Sequence, residues 1–142
     1  MGLLTEIQAE IEARSLSRGG WAVKDKGAAA IETTSYALMA LAGDQEVVRR
    51  RAIAALLRTQ NGDGSWPAFE GDDQEGCWTT SLALIALRFV GSSARPIERG
   101  ERWLLNNKAA RVIGSGNGSS ERSIALYSLI RRNMDGHGFL KP

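Results

Sequence analysis

An internal repeat constrains this chain more than any other feature. Thr33-Thr34-Ser35-Tyr36-Ala37-Leu38-Met39-Ala40-Leu41 matches Thr79-Thr80-Ser81-Leu82-Ala83-Leu84-Ile85-Ala86-Leu87 at seven of nine positions, 46 residues apart. A weaker third copy, Ser123-Ile124-Ala125-Leu126-Tyr127-Ser128-Leu129, follows the second by 42 residues. A repeated unit of this length cannot bury its apolar face alone and has to stack on its neighbours. Each copy opens with small hydroxylated residues suited to helix capping and then turns apolar on nearly every side, which predicts a helix surrounded by protein. Three such inner helices are expected, over 33–42, 79–90 and 120–132.

Between them lie segments with one polar face. Asp44 is placed to cap a helix from Gln45 to Thr59, in which Val48, Ala52, Ala55 and Leu56 separate from Arg49, Arg50, Arg51 and Arg58. Pro96 sits in the first turn of a second outer helix running to Lys108. The N-terminal stretch adds a leading outer helix, with Leu3, Leu4, Ile7 and Ile11 at helical spacing among Glu6, Gln8, Glu10 and Glu12. Glycine-rich loops punctuate the pattern at Gly19-Gly20, Gly62-Asp63-Gly64 and Gly114-Ser115-Gly116-Asn117-Gly118. No stretch alternates apolar and polar residues as a strand does. The expected fold is all-α, one domain over 1–142 built from repeats at about 1–43, 44–91 and 92–142.

Composition narrows the function classes. A net charge of +2 is too small to imply a nucleic-acid partner. No apolar run approaches the ~18 residues of a membrane span. The start of the chain has neither the basic residues nor the apolar core of a signal peptide, and Glu6 stands where a myristoylation signal needs Ser or Thr. A single cysteine cannot form an internal disulfide and suits a reducing compartment. A cytoplasmic home is expected.

The spacing of Arg51, Ala52, Leu56, Gln60, Gly64 and Trp66 resembles the QW motif of squalene and terpene cyclases and of protein prenyltransferase β subunits, with Ala55 where an aromatic is usual. Arg99-Gly100, Trp103 and Leu104 begin a second copy that lacks the glutamine, replaced by Lys108, and the closing Gly-x-Trp. Gly19-Gly20-Trp21 and Asp135-Gly136-His137-Gly138-Phe139 are similar to degenerate loop ends of the same kind. The resemblance covers nearly the whole chain and is strongest over 31–91. It implies an α/α toroid, here a partial ring of about three helix pairs, with any cavity at the N-terminal ends of the inner helices. Independently of the family, a glutamine ending an outer helix can bond the free backbone groups of a neighbouring helix terminus, and a tryptophan can pack over it.

Two catalytic readings follow from the resemblance. Glu70, Asp72, Asp73 and Glu75 crowd together, and crowding raises a carboxylate's pKa toward that of a proton donor. Glu70-Gly71-Asp72-Asp73 resembles the D-x-D-D of class II cyclases, but the register fails: aligned on the inner helix, the last aspartate of that motif falls on Trp78 here and on Glu32 in the first copy. Asp72, Asp73 and Glu32 remain the catalytic candidates, with a solvated loop the simpler account of the cluster. Glu75-Gly76-Cys77-Trp78 resembles the zinc-binding segment of prenyltransferases, with His137 the only histidine able to complete it. His137 lies in a terminal loop, so no metal is expected.

The other motifs have plain readings. Gly114-Ser115-Gly116-Asn117-Gly118 has no preceding strand and no Lys-Ser/Thr, so it reads as a connector rather than a phosphate cradle, and no cofactor is expected. Arg49-Arg50-Arg51 reads as a solvated face. Aromatic faces can stabilise cations, and Trp78 and Tyr36 join Glu32 and Glu121 as candidates to line a ligand cavity near the inner-helix starts. The sequence therefore points to binding rather than catalysis, of a hydrophobic, isoprenoid-like small molecule or of a second copy. Uncovered repeat edges predict a homo-oligomer, a two-fold dimer in the simplest case.

Overall fold

The computed structural model describes residues 2–24, 27–41, 45–72 and 76–113, and of 108–113 the backbone alone. Five helices follow one another: α1 (Leu3–Ala13), α2 (Ile31–Ala40), α3 (Glu46–Thr59), α4 (Thr79–Phe89) and α5 (Ala94–Ile113). Among the described residues there is no strand beyond one antiparallel bridge between Ala30 and Phe69. The fold is all-α. The expected inner helix at 120–132 and the cap at Asp44 lie outside the described residues.

Helices α2 and α4 are the two repeat copies, and they pack against each other more extensively than any other pair. Helix α3 flanks α2, and α5 flanks α4. Every residue of α4 from Thr79 to Leu87 is buried, as the all-round apolar sequence requires. Helix α3 buries Val48, Ala52, Ala55 and Leu56 and turns Arg50, Arg51 and Arg58 outward. Helix α1 buries nothing completely.

Both inner helices begin at the same end of the molecule. The backbone N–H of Ile31 donates to the carbonyl of Ala68 (3.0 Å), while Thr79 Oγ1 donates to the carbonyl of Pro67 (2.8 Å). The segment 66–70 thus runs across the starts of α2 and α4, and Glu70 closes the crossing with its N–H on the carbonyl of Ala29 (2.9 Å).

Two local expectations are corrected. The hydroxylated residues that open each copy do not cap: the N-cap positions are Ala30 and Trp78, neither with a side-chain cap, and the threonines lie inside the first turn, where they bond the preceding loop. Helix α5 runs to Ile113, past Lys108, because Ala109 and Ala110 favour helix and no breaker intervenes before Gly114.

Candidate functional site

The repeat is carried by two tryptophans whose hydrogen bonds correspond one for one. Trp66 is fully buried; its indole Nε1 donates to the carbonyl of Leu56 in the last turn of α3 (2.7 Å), and its backbone N–H donates to Thr80 Oγ1 in the first turn of α4 (2.9 Å). Trp21 repeats both bonds 45 or 46 residues earlier, to the carbonyl of Ile11 (2.7 Å) and to Thr34 Oγ1 (3.0 Å). The last carbonyls of a helix lack intrahelical partners, so an indole N–H is well used there. Each tryptophan joins the end of one helix to the start of the next. The turns before them match too: Gly64 N–H bonds Asn61 O and Asn61 N–H bonds Ser65 O, as Gly19 N–H bonds Leu16 O and Leu16 N–H bonds Gly20 O.

Close packing explains the glycines. Gly19 and Gly64 have φ of 90° and 97°, a region that L side chains rarely adopt, and a Cβ on either would run into the carbonyl of Arg51 or Arg99 respectively. Each turn is therefore pressed onto the next outer helix. Gln60 reinforces the second join: its Nε2 donates to the carbonyls of Gly64 (2.9 Å) and of Pro96 in α5 (2.8 Å). From the other side Arg99 donates to the carbonyls of Asn61 (3.0 Å) and Gly62 (2.9 Å). Ala52 and Leu56 are fully buried, whereas Arg51 is exposed.

The ligand candidates gather only in part. Glu32, half-buried, is in the first turn of α2, with Tyr36 one turn further on and 52% exposed. Trp78 occupies the N-cap of α4 and is 42% exposed. Phe69, in the segment that crosses both helix starts, is 44% exposed and was not foreseen as a candidate. Its signal was present, an aromatic in a polar loop. Glu121 lies outside the described residues.

The acidic loop divides. Glu70 is half-buried and ion-paired with Arg58 (3.0 Å), with Arg18 at 4.0 Å, so it belongs to the packing between loop and helix rather than to a solvated cluster. Asp72 is exposed. Asp73 and Glu75 lie outside the described residues, as does His137. Cys77, half-buried, has its Sγ 2.9 Å from Thr79 Oγ1. Among the described residues no three His, Cys, Asp or Glu side chains converge.

A concavity lies elsewhere among the described residues. A cleft of about 650 Å³ opens between α1, the loop after it and α2, lined by Ile11, Leu16, Trp21, Val23, Tyr36 and Ala40 among others. Sequence reasoning missed it because no single stretch carries it. It also missed the ion pair of Arg88 with Glu101, which are 20% and 16% exposed and join α4 to α5. Among the described residues, no helix is long and apolar enough to cross a membrane.

Two curated relatives are similar to the chain. One is the uncharacterized protein blr2149 of Bradyrhizobium diazoefficiens, 32% identical over 115 residues; the other is the uncharacterized protein y4kT of Sinorhizobium fredii, 30% identical over 115 residues. Each alignment covers 74% of this chain and 22% of the relative, so the chain spans about a fifth of the length of the curated relatives it matches. No family model and no solved structure matches the chain.

Proposed function

We propose that the chain is a repeat module of the kind found in terpenoid cyclases and prenyltransferase β subunits, working in the cytoplasm by binding a hydrophobic small molecule rather than by catalysis. The observation that carries this reading is the pair of exposed aromatics at the shared end of the inner helices. Trp78 begins α4, and Phe69 lies on the segment that crosses the starts of α2 and α4. Large aromatic surfaces left in water at one end of a helical core are favourable places to bury an apolar ligand. Glu32, which the repeat aligns with Trp78 and which lies in the first turn of α2, supplies a polar group near the same end.

The carboxylates support binding over proton donation. A donor strong enough to protonate an alkene needs an enclosed, apolar setting that holds its proton on. Glu70 is instead paired with Arg58, and Asp72 is exposed rather than enclosed in an apolar setting.

Calorimetric titration with farnesol, an uncharged isoprenoid probe, tests the proposal. Saturable binding that weakens at least tenfold in Trp78→Ala is expected, with the melting midpoint of the variant close to that of the parent. Undiminished binding by that variant, or no binding by the parent, overturns the reading.

A further inference from the structure

We propose that the small molecule bound at the inner-helix starts is a cation, an ammonium group on an apolar chain, which rests on the reading of Trp78 and Phe69 as a binding surface. The segment 66–70 brings the parts together. At one end of it the backbone N–H of Cys77 and Oγ1 of Thr79 donate to the carbonyls of Trp66 (3.2 Å) and Pro67 (2.8 Å), which fixes Trp78 between them. At the other end Ile31 N–H donates to the carbonyl of Ala68 (3.0 Å) and Phe69 pairs with Ala30, which brings Glu32, the residue after Ile31, to the same stretch. Two exposed aromatic rings and a carboxylate thus share one end of α2 and α4.

Charge then selects among apolar ligands. Glu32 is half-buried, yet among the described residues no lysine or arginine pairs with it and no side-chain hydrogen bond holds it. A carboxylate partly withdrawn from water without a counter-charge favours a ligand that brings one. The arginines that reach the crossing segment do not serve, because Arg58 (3.0 Å) and Arg18 (4.0 Å) lie against Glu70. The sequence linking Phe69 to Trp78 adds Asp72, Asp73 and Glu75 to Glu70 and contains no Lys or Arg. Such a balance attracts cations and repels anions.

The aromatic faces act in the same direction. An ammonium within ~6 Å of a ring centroid is drawn to the negative face of the ring, more strongly where water is excluded. Trp78 and Phe69 therefore offer an apolar surface to the chain of the ligand and a favourable edge to its head. A fatty acid or a phosphate ester would meet like charge at Glu32, and a neutral alcohol would leave that carboxylate without a counter-charge.

Calorimetric titration with three probes that share one apolar chain tests the assignment: farnesylamine, which is protonated at neutral pH, farnesol and farnesoic acid, each below its aggregation concentration. Farnesylamine should bind about tenfold more tightly than farnesol at low ionic strength, with a margin that narrows as salt rises, and farnesoic acid should bind most weakly. Glu32→Gln should cut the ratio of amine to alcohol affinity about threefold or more, and Trp78→Ala should weaken the amine, both with the far-UV circular dichroism of the parent. Equal binding of amine and alcohol, or tighter binding of the acid, overturns the charge assignment and leaves the apolar site standing. Binding of none of the three overturns the apolar site, and the charge assignment with it. An amine whose advantage survives Glu32→Gln, or whose binding is indifferent to Trp78→Ala, sits elsewhere on the molecule, which also overturns the proposal. Phosphatidylcholine vesicles present an ammonium at a lipid surface, and no co-sedimentation with them is expected. Vesicle binding that is lost in Glu32→Gln would give the site to a membrane rather than to a free ligand, and overturn the proposal in that form.

Discussion

In the second unit Leu82 and Ala86 are buried, whereas in the first the corresponding Tyr36 and Ala40 stand open beside a cleft, although one tryptophan folds each unit through the same two hydrogen bonds. The difference separates two things that a repeat sequence encodes together. The tie between a helix and its successor is local and complete within one unit. Burial of the inner helix is not, because it requires the unit before. Helix α1 and α3 differ in the same sense: α3 buries four residues between α2 and the following loop, and α1 buries none.

Trp66→Ala and Trp21→Ala probe this contrast with the largest expected effect. Removing a fully buried tryptophan costs ~3–5 kcal/mol, a large share of the ~5–15 kcal/mol that holds a domain together. Trp66 lies in the core under Gly100, where a Cβ would meet its ring at 2.8 Å, so its loss leaves a cavity enclosed beneath α5. Trp21 borders the open cleft, and the void it leaves is continuous with solvent. Thermal melts should therefore show a larger fall for Trp66→Ala than for Trp21→Ala. Equal falls would mean that the first unit is as closed in solution as the second.

Much of this frame was legible in the sequence, for a physical reason. The Thr-Thr-Ser…Ala-Leu repeat set the two central helices to within two residues at each end, since a helix buried on all sides leaves an apolar run that nothing else requires. The spacing from Gln60 to Trp66 marked a helix end followed by a sharp return. What misled was Thr34 and Thr80, because a hydroxyl near a helix start has the same composition whether it caps its own helix or accepts from a neighbouring loop. The cleft and the Arg88–Glu101 pair depend on which elements meet, and periodicity within one element carries no such information.

The threonines give an intermediate effect and a sharper comparison. Thr80 and Thr34 are both buried, and each receives the backbone N–H of a tryptophan. Valine keeps the shape and removes the acceptor, so Thr80→Val should lower stability by ~1–3 kcal/mol, the cost of stranding a buried donor. Thr34→Val should cost a similar amount, since the bond is made within the unit rather than across the open edge. Chemical denaturation measures both. A loss confined to Thr80→Val would show that the first tie is not formed in solution.

The smallest effect belongs to the join between α3 and α5, where the two units differ in kind. Gln60 reaches the carbonyl of Pro96, while Ser15, at the corresponding place in the first unit, is too short to reach α3 in this way. The carbonyl of Pro96 already serves the helical ladder of α5, so losing the amide strands no acceptor there. Arg99 spans the same join through the carbonyls of Asn61 and Gly62. Gln60→Ala alone should therefore cost only ~0.5–1.5 kcal/mol, the net worth of an ordinary hydrogen bond. Arg99→Ala should cost a comparable amount, and the double variant more than the sum, because either side chain alone still holds the turn against α5 and only the loss of both frees it; contacting residues in one network commonly couple by ~0.5–3 kcal/mol. A double-mutant cycle by urea denaturation measures the coupling. Strict additivity would mean that Gly64, pressed onto the carbonyl of Arg99, fixes the join by packing alone, and that the glutamine is dispensable in the second unit as its absence is tolerated in the first.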